Sequence, residues 1–506
     1  MKTRILILIV LLSAFCGCDD ELDQTNPNVI TQENYWKTED DILSALAATY
    51  KVLRDVNNGY WGVRGVELTN GRGDDFFIRN DVKALYELST FTNTTSTGTP
   101  AGIFTGCYTG IFRANQILDN IETVEGITEE EKAVYISEAK FLRGLNYFHL
   151  VINFESVPVF TTVPQSREEY FVANLPEAEV WAQVEADFSD AITNLPVSYG
   201  DEWIGRATKG AATGYLGKAY LYQEKWAEAA GEFAVLATPE GMAEAPYTYD
   251  LLADFQDNFV AENDNNIESV FEIQNQNVGG SDPWAGENAD ESQGVTTAQE
   301  FAPAEAAGWF EAFPTEKIFE EFQKEKTVDG DLDPRMYATL VWDYPGAMYY
   351  NRAFSEFELQ FGYSSMFRKY QNWQDDNEGI WISEINEKAL RFADVLLMYA
   401  EALTMQGNPE AAAPLVNRIR SRANLPDISG LGQEAMMAEI RHQRMIEFFR
   451  EGLRFYDLKR WRLIGEEIEN SDKVGKEFLS LPRHEYFPIP QGEINTNPEI
   501  EQNPDW

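Results

Sequence analysis

Histidine and cysteine are scarce here: three of each stand among 506 residues. That poverty narrows the chemistry at once. His149, His442 and His484 lie far apart in sequence, and none has a serine or cysteine nucleophile in a recognisable setting. A Gly-rich phosphate loop and an HExxH pair are both missing. Asp329-Gly330-Asp331-Leu332-Asp333 resembles half a calcium loop, but Pro334 takes the sixth position, where that turn needs glycine. A plain acidic turn is the better reading. With 84 acidic residues, no spacing marks out one carboxylate pair for glycoside cleavage. The sequence therefore marks out no catalytic residue, metal or cofactor, and an enzyme is not expected.

Basic residues are also few, 40 against 84 acidic ones, for a net charge of −44. A surface this acidic repels phosphate backbones, which argues against nucleic acid as a partner. Disorder is not implied, because 44% of the residues are hydrophobic and 13% aromatic. An acidic surface keeps a protein soluble, and it suits saline water, where screening weakens self-repulsion.

Long apolar runs are lacking apart from Ile5 to Phe15, which follows Lys2 and Arg4. That run is too short to span a membrane, and a basic start before it reads as a secretion signal. Gly17-Cys18 then resembles the lipobox of bacterial lipoproteins. The resemblance implies cleavage after residue 17 and a lipid on Cys18. Phe15 sits where that motif usually has an aliphatic residue. Several acyl chains on one residue give stable anchoring. Asp19-Asp20-Glu21 resembles the tag that sends such lipoproteins to the outer face of the outer membrane. Cys18 and Cys107 would be the cysteines left, so no internal disulfide is expected.

What is plentiful is helical periodicity. The spacing predicts helices over 40–53, 111–121, 128–151, 180–195, 208–222 and 226–236. Thr128-Glu129-Glu130-Glu131 opens the third like a capping box. The stretch from Ala219 to Ala230 is similar to that from Ala402 to Ala413: a small residue, a polar turn, then a second small pair. That is the look of tetratricopeptide helix hairpins, which must stack to bury their apolar faces. Between 246 and 384 the texture changes. Gly, Pro, Asn and Trp rise and periodicity weakens, which reads as long loops with a few short strands such as 267–273. Long ordered loops are usually functional. Helix is expected again from 388 to 468, then an extended tail from Glu485. The expected fold is mainly α, a tetratricopeptide-like hairpin scaffold with a loop-rich, short-strand binding region inserted. Its parts are a signal peptide (1–17), an N-terminal helical region (18–240) and a C-terminal region (241–506).

Several motifs, taken in order, resemble the SusD/RagB family of the starch-utilisation-system type. Tyr35-Trp36-Lys37-Thr38 precedes the first helix. Glu138-Ala139-Lys140-Phe141-Leu142-Arg143 and Asp333-Pro334-Arg335 follow. Arg391-Phe392-Ala393-Asp394 leads to Tyr399-Ala400-Glu401-Ala402. Arg444-Met445-Ile446-Glu447-Phe448, Glu451-Gly452-Leu453-Arg454-Phe455-Tyr456-Asp457 and Phe487-Pro488-Ile489-Pro490 close the series. Charges in these motifs recur at three or four residues, as in structural ion-pair networks. Arg391, Asp394 and Glu401 are expected to pair across neighbouring hairpins.

The resemblance implies a lipid-anchored, cell-surface protein of the outer membrane. It would capture oligo- or polysaccharide and pass it to a partner TonB-dependent, SusC-like transporter. Peptide capture by the same architecture and a surface glycoside hydrolase are the alternatives. A sugar ring lies flat on an aromatic face while polar side chains bond its rim. Aromatic and acidic residues in loop-like sequence are thus the expected ligand contacts: Tyr60, Trp61, Asp74, Asp75, Trp284, Trp309, Trp342 and Tyr344. A single Trp is more often core than contact, but several beside Gly and Pro point to a surface.

Overall fold

The structure, a computed structural model, describes residues 35–55, 59–62, 64–65, 70–277, 294–359, 361–378 and 383–506. The signal peptide, Cys18 and Trp284 lie outside the described residues.

Helices dominate, as the periodicity requires. Helix α1 spans Glu39–Leu53, started by a capping box between Thr38 and Asp41. Helix α2 (Gly98–Asn120) begins thirteen residues before the expected start. Its glycines and threonines dilute the periodic signal there, and tertiary packing carries that first half. Helix α3 (Glu129–Phe154) has the expected capping box, Thr128 with Glu131. From Phe141 to Phe154 every residue of α3 is buried, so it forms the axis of the molecule. Helix α4 (Glu177–Asn194) packs along it.

Two hairpins then do what their small residues promised. Helices α5 (Lys209–Tyr222) and α6 (Trp226–Leu236) form one, and α7 (Phe392–Met405) and α8 (Pro409–Arg422) the other. Helix α6 packs on α7, so the two hairpins stack. Gly217 makes the first hairpin possible: a Cβ there would lie 2.7 Å from a ring carbon of Phe233. Helices α9 (Gln433–Glu447) and α10 (Arg454–Arg460) complete this side.

The expected continuous helix from 388 is corrected at its start. Residues Glu387–Arg391 form a strand, β8, paired antiparallel with β2 (Ser269–Ile273). All five residues of β8 are buried, and a long-range strand partner outweighs the local helical pattern. The remaining strands are short. β1 (Phe76–Ile78) pairs with β3 (Ala312–Pro314), β4 (Leu340–Trp342) with β7 (Ser365–Phe367), and β5 (Met348–Tyr349) with β6 (Arg352–Ala353). The tail also departs from the expectation, turning through a short helix at Gln491–Thr496.

Ion pairs lock the hairpins to the loop region. Arg391, at the end of β8, meets Glu268 at 2.5 Å, Glu447 at 3.0 Å and Glu451 at 2.6 Å. Glu447 also receives Arg422 at 2.5 Å and Arg335 at 3.1 Å. Burial would raise the Glu447 pKa, but Arg422, Arg391 and Arg335 together hold it well below the ordinary carboxylate range. Arg391 thus pairs across elements, as expected, and so do Asp394 and Glu401. Asp394 pairs with Lys218 and Arg444, and Glu401 with Arg460.

Candidate functional site

A cluster of rings stands where the loop region leaves the scaffold. Asp333 caps the short helix Pro334–Thr339 by accepting the Arg335 N–H, and the buried Arg335 ties that helix to Glu447 and Gln443. The chain runs straight from this anchored turn into β4. Leu340 and Val341 are wholly buried, whereas Trp342 and then Tyr344 are only half-buried. The Pro345-Gly346 turn, with Gly346 at φ +83°, reverses the chain beyond them.

The rings contact one another closely. Trp342 lies 4.6 Å from Tyr344 and 4.9 Å from Tyr337 between centroids, with Phe319 at 6.0 Å. Tyr337 and Tyr344 meet edge to face at 5.3 Å. Arg368 braces the group from behind: its guanidinium donates to the Tyr337 carbonyl at 3.0 Å and to the Tyr344 hydroxyl at 3.4 Å. It also lies 3.4 Å from the ring centroid of half-buried Trp373. Such a cluster offers broad apolar faces with polar handles at their edges. Asp343 stands exposed between the two central rings.

The other expected contacts are placed elsewhere. Trp309 is half-buried beside the Arg64 guanidinium, 5.8 Å from it, and shares none of these ring contacts. Tyr60, Trp61, Asp74 and Asp75 lie inside the fold rather than on a face. Tyr60 stacks on His149 at 3.7 Å and bonds the Tyr456 hydroxyl at 2.9 Å. Trp61 meets His149 edge to face at 4.7 Å. His149 is the packed histidine that its apolar helix suggested, and burial drives its pKa down. Asp74 is held by Arg454 at 2.7 Å and Lys317 at 2.5 Å, bridging segments 380 residues apart. Burial and the neighbouring Asp74 charge push the Asp75 carboxyl up to about 7. Tyr60 and Asp74 join the ends of the chain, and the loop-like sequence around all four hides a buried seam.

Phe319, Tyr337, Arg368 and Trp373 were not legible as site residues. Their assembly depends on the β4–β7 pairing, in which Trp342 faces Ser365 across the ladder. The local signal that could have found one of them is the short spacing of Tyr337, five residues before Trp342.

Comparison with known proteins agrees with this architecture. Residues 267–506 match the family described as the SusD family, and residues 22–221 match one described as starch-binding associating with outer membrane. A solved SusD superfamily protein from Bacteroides vulgatus is 36% identical, with 93% of this chain and all of that one covered at a TM-score of 0.84. A solved laminarin-binding SusD-like protein is 27% identical, with the same coverage and a TM-score of 0.79. A SusD-like protein of Formosa agariphila is 25% identical over 539 aligned positions, spanning 99% of this chain and 98% of that one. With its stacked hairpins, its anchored loop region and a relative 36% identical across nearly the whole chain, this protein belongs to the SusD family.

Proposed function

We propose that this protein binds glycan at the outer-membrane surface and delivers it to a partner TonB-dependent transporter. The observation that carries the reading is the half-exposed ring cluster of Trp342, Tyr344 and Tyr337 on a rigid strand turn. Sugar rings stack on such faces, and a site on anchored elements holds its geometry. The laminarin-binding relative supports a β-glucan as the first ligand to try. Lipid on Cys18 would hold the protein at the membrane, and Trp309 would extend the surface beyond the cluster. No step of this function needs chemistry on the ligand, in keeping with a binding protein.

The test is affinity electrophoresis of the full-length chain in detergent, through gels carrying laminarin and other polysaccharides. Retardation by a polysaccharide, weakened about tenfold in Trp342→Ala, is the expected result; that is the size of one lost aromatic platform. Retardation by no polysaccharide would refute glycan capture and turn attention to peptides.

A further inference from the structure

A cleft of about 780 Å³ opens between α1 and the outer face of β2, a size that suits a small ligand. Leu43 and Ala47 of α1 form one wall, and Phe271 to Gln276 the other. The 203–206 loop closes one end, where Trp203 is 39% exposed. Gly205, at φ +89°, lets this loop press on the opposite wall: a Cβ there would lie 2.4 Å from Gln274.

The polar lining is largely committed to itself. Glu138 is held by Arg206 and by the Tyr50 hydroxyl at 2.6 Å. Asp264 and Glu272 share Lys388, at 2.7 and 2.8 Å. Asn265 and Gln274 exchange two amide bonds of 2.9 Å. Two groups stand outside this arrangement. Asn275 donates to the Ile385 carbonyl at 3.1 Å, which leaves its amide oxygen buried without a partner. Arg54, half-buried in the wall, has no carboxylate paired with its guanidinium among the described residues. Burial lowers its pKa, though a guanidinium stays charged at any ordinary pH.

Each feature asks for a different part of one ligand. The indole of Trp203 offers a flat face to a sugar ring. The guanidinium of Arg54 fits a carboxylate through two parallel bonds, which a neutral sugar does not supply. We infer that this cleft is a second glycan site, separate from the Trp342 cluster, selective for an oligosaccharide bearing carboxylates, with Arg54 binding a uronate group. This rests on the reading of the protein as a glycan binder.

The probe is a galacturonic acid hexamer, compared by calorimetry with its carboxyl-reduced counterpart, on the full-length chain in detergent. The hexuronate is expected to bind more tightly than the reduced hexamer. Arg54→Gln should weaken the hexuronate about tenfold, the size of one charge-assisted contact, and leave the reduced hexamer unchanged. Arg54→Lys, which keeps the charge without the fork, should fall between. Trp203→Ala should weaken both ligands. An unchanged melting temperature shows that each variant is folded. Absence of hexuronate binding, or equal binding by wild type and Arg54→Gln, overturns the inference. Laminarin binding that depends on Trp342 would then stand alone. Conversely, Arg54-dependent hexuronate binding without any polysaccharide at the Trp342 cluster would keep this site and refute the other.

Discussion

Glu447→Gln isolates the carboxylate on which the scaffold converges. Glu447 is wholly buried and accepts from Arg335 at 3.1 Å, Arg391 at 3.0 Å and Arg422 at 2.5 Å. Glutamine keeps the shape and one acceptor oxygen. It removes the charge and aims an amide N–H at a guanidinium. Breaking a buried ion pair by neutralising one partner costs about 3–5 kcal/mol, since the remaining charge is left uncompensated. Here Asp333, Glu268 and Glu451 still face the three arginines. The loss should therefore sit near the lower end, about 3 kcal/mol. The assay is urea unfolding followed by tryptophan fluorescence, with Lys140→Ala as comparison. Lys140 meets Asp190 at 2.6 Å at the surface, and an exposed pair contributes about 1 kcal/mol or less. The pH dependence sharpens the test. A carboxyl held below its unfolded value of 4.5 contributes stability above that pH and loses it as the pH falls toward the folded value. The gap between wild type and Glu447→Gln should thus narrow below pH 4.5. Equal midpoints for Glu447→Gln and Lys140→Ala, or a gap that widens in acid, would refute the reasoning.

Other outcomes follow from single contacts. Burial would lower the His442 pKa, but donation to the Glu321 carboxylate and the nearby Glu325 carboxylate raise it from 6.5 to about 9. Its stabilisation is complete below pH 6.5 and is lost as the pH rises through 9. Melting curves of wild type and His442→Gln should accordingly converge between those values. Gly217→Ala forces a Cβ onto Phe233 and should destabilise by about 1–3 kcal/mol in urea unfolding. Gly231→Ala, on the facing helix with nothing within 4 Å, should instead stabilise by about 0.5–1 kcal/mol.

The helical scaffold was largely legible in the sequence, because amphipathic spacing and caps are local signals. Trp226 to Leu236 was bounded as the structure has it, and α3 began at its capping box. The small residues of α5 and α7 announced the close hairpins. What stayed hidden depends on partners far along the chain. Strand β8 reads locally as the start of a helix and becomes a strand because β2 lies beside it. Tyr60-Trp61 and Asp74-Asp75 sit in Gly- and Asn-rich sequence typical of a surface. Their partners Tyr456 and Arg454 arrive from 380 or more residues away and bury them. Trp342 and Tyr344 were visible as a loop pair. Arg368 and Trp373 join them only through the strand ladder.

Ile273 and Glu387 face each other across the β2–β8 ladder. The chain therefore leaves the scaffold and returns to it at one doorway, with more than a hundred residues hung between the posts. Closing so long an excursion is only slightly harder than closing a shorter one, since the entropy grows with the logarithm of length. A lineage could lengthen or shorten the turns beyond that doorway while Arg335 and Lys369, which tie the stretch to Glu447 and Glu451, kept their places. Ligand preference can then change at the tips of the stretch while its roots go on holding the frame.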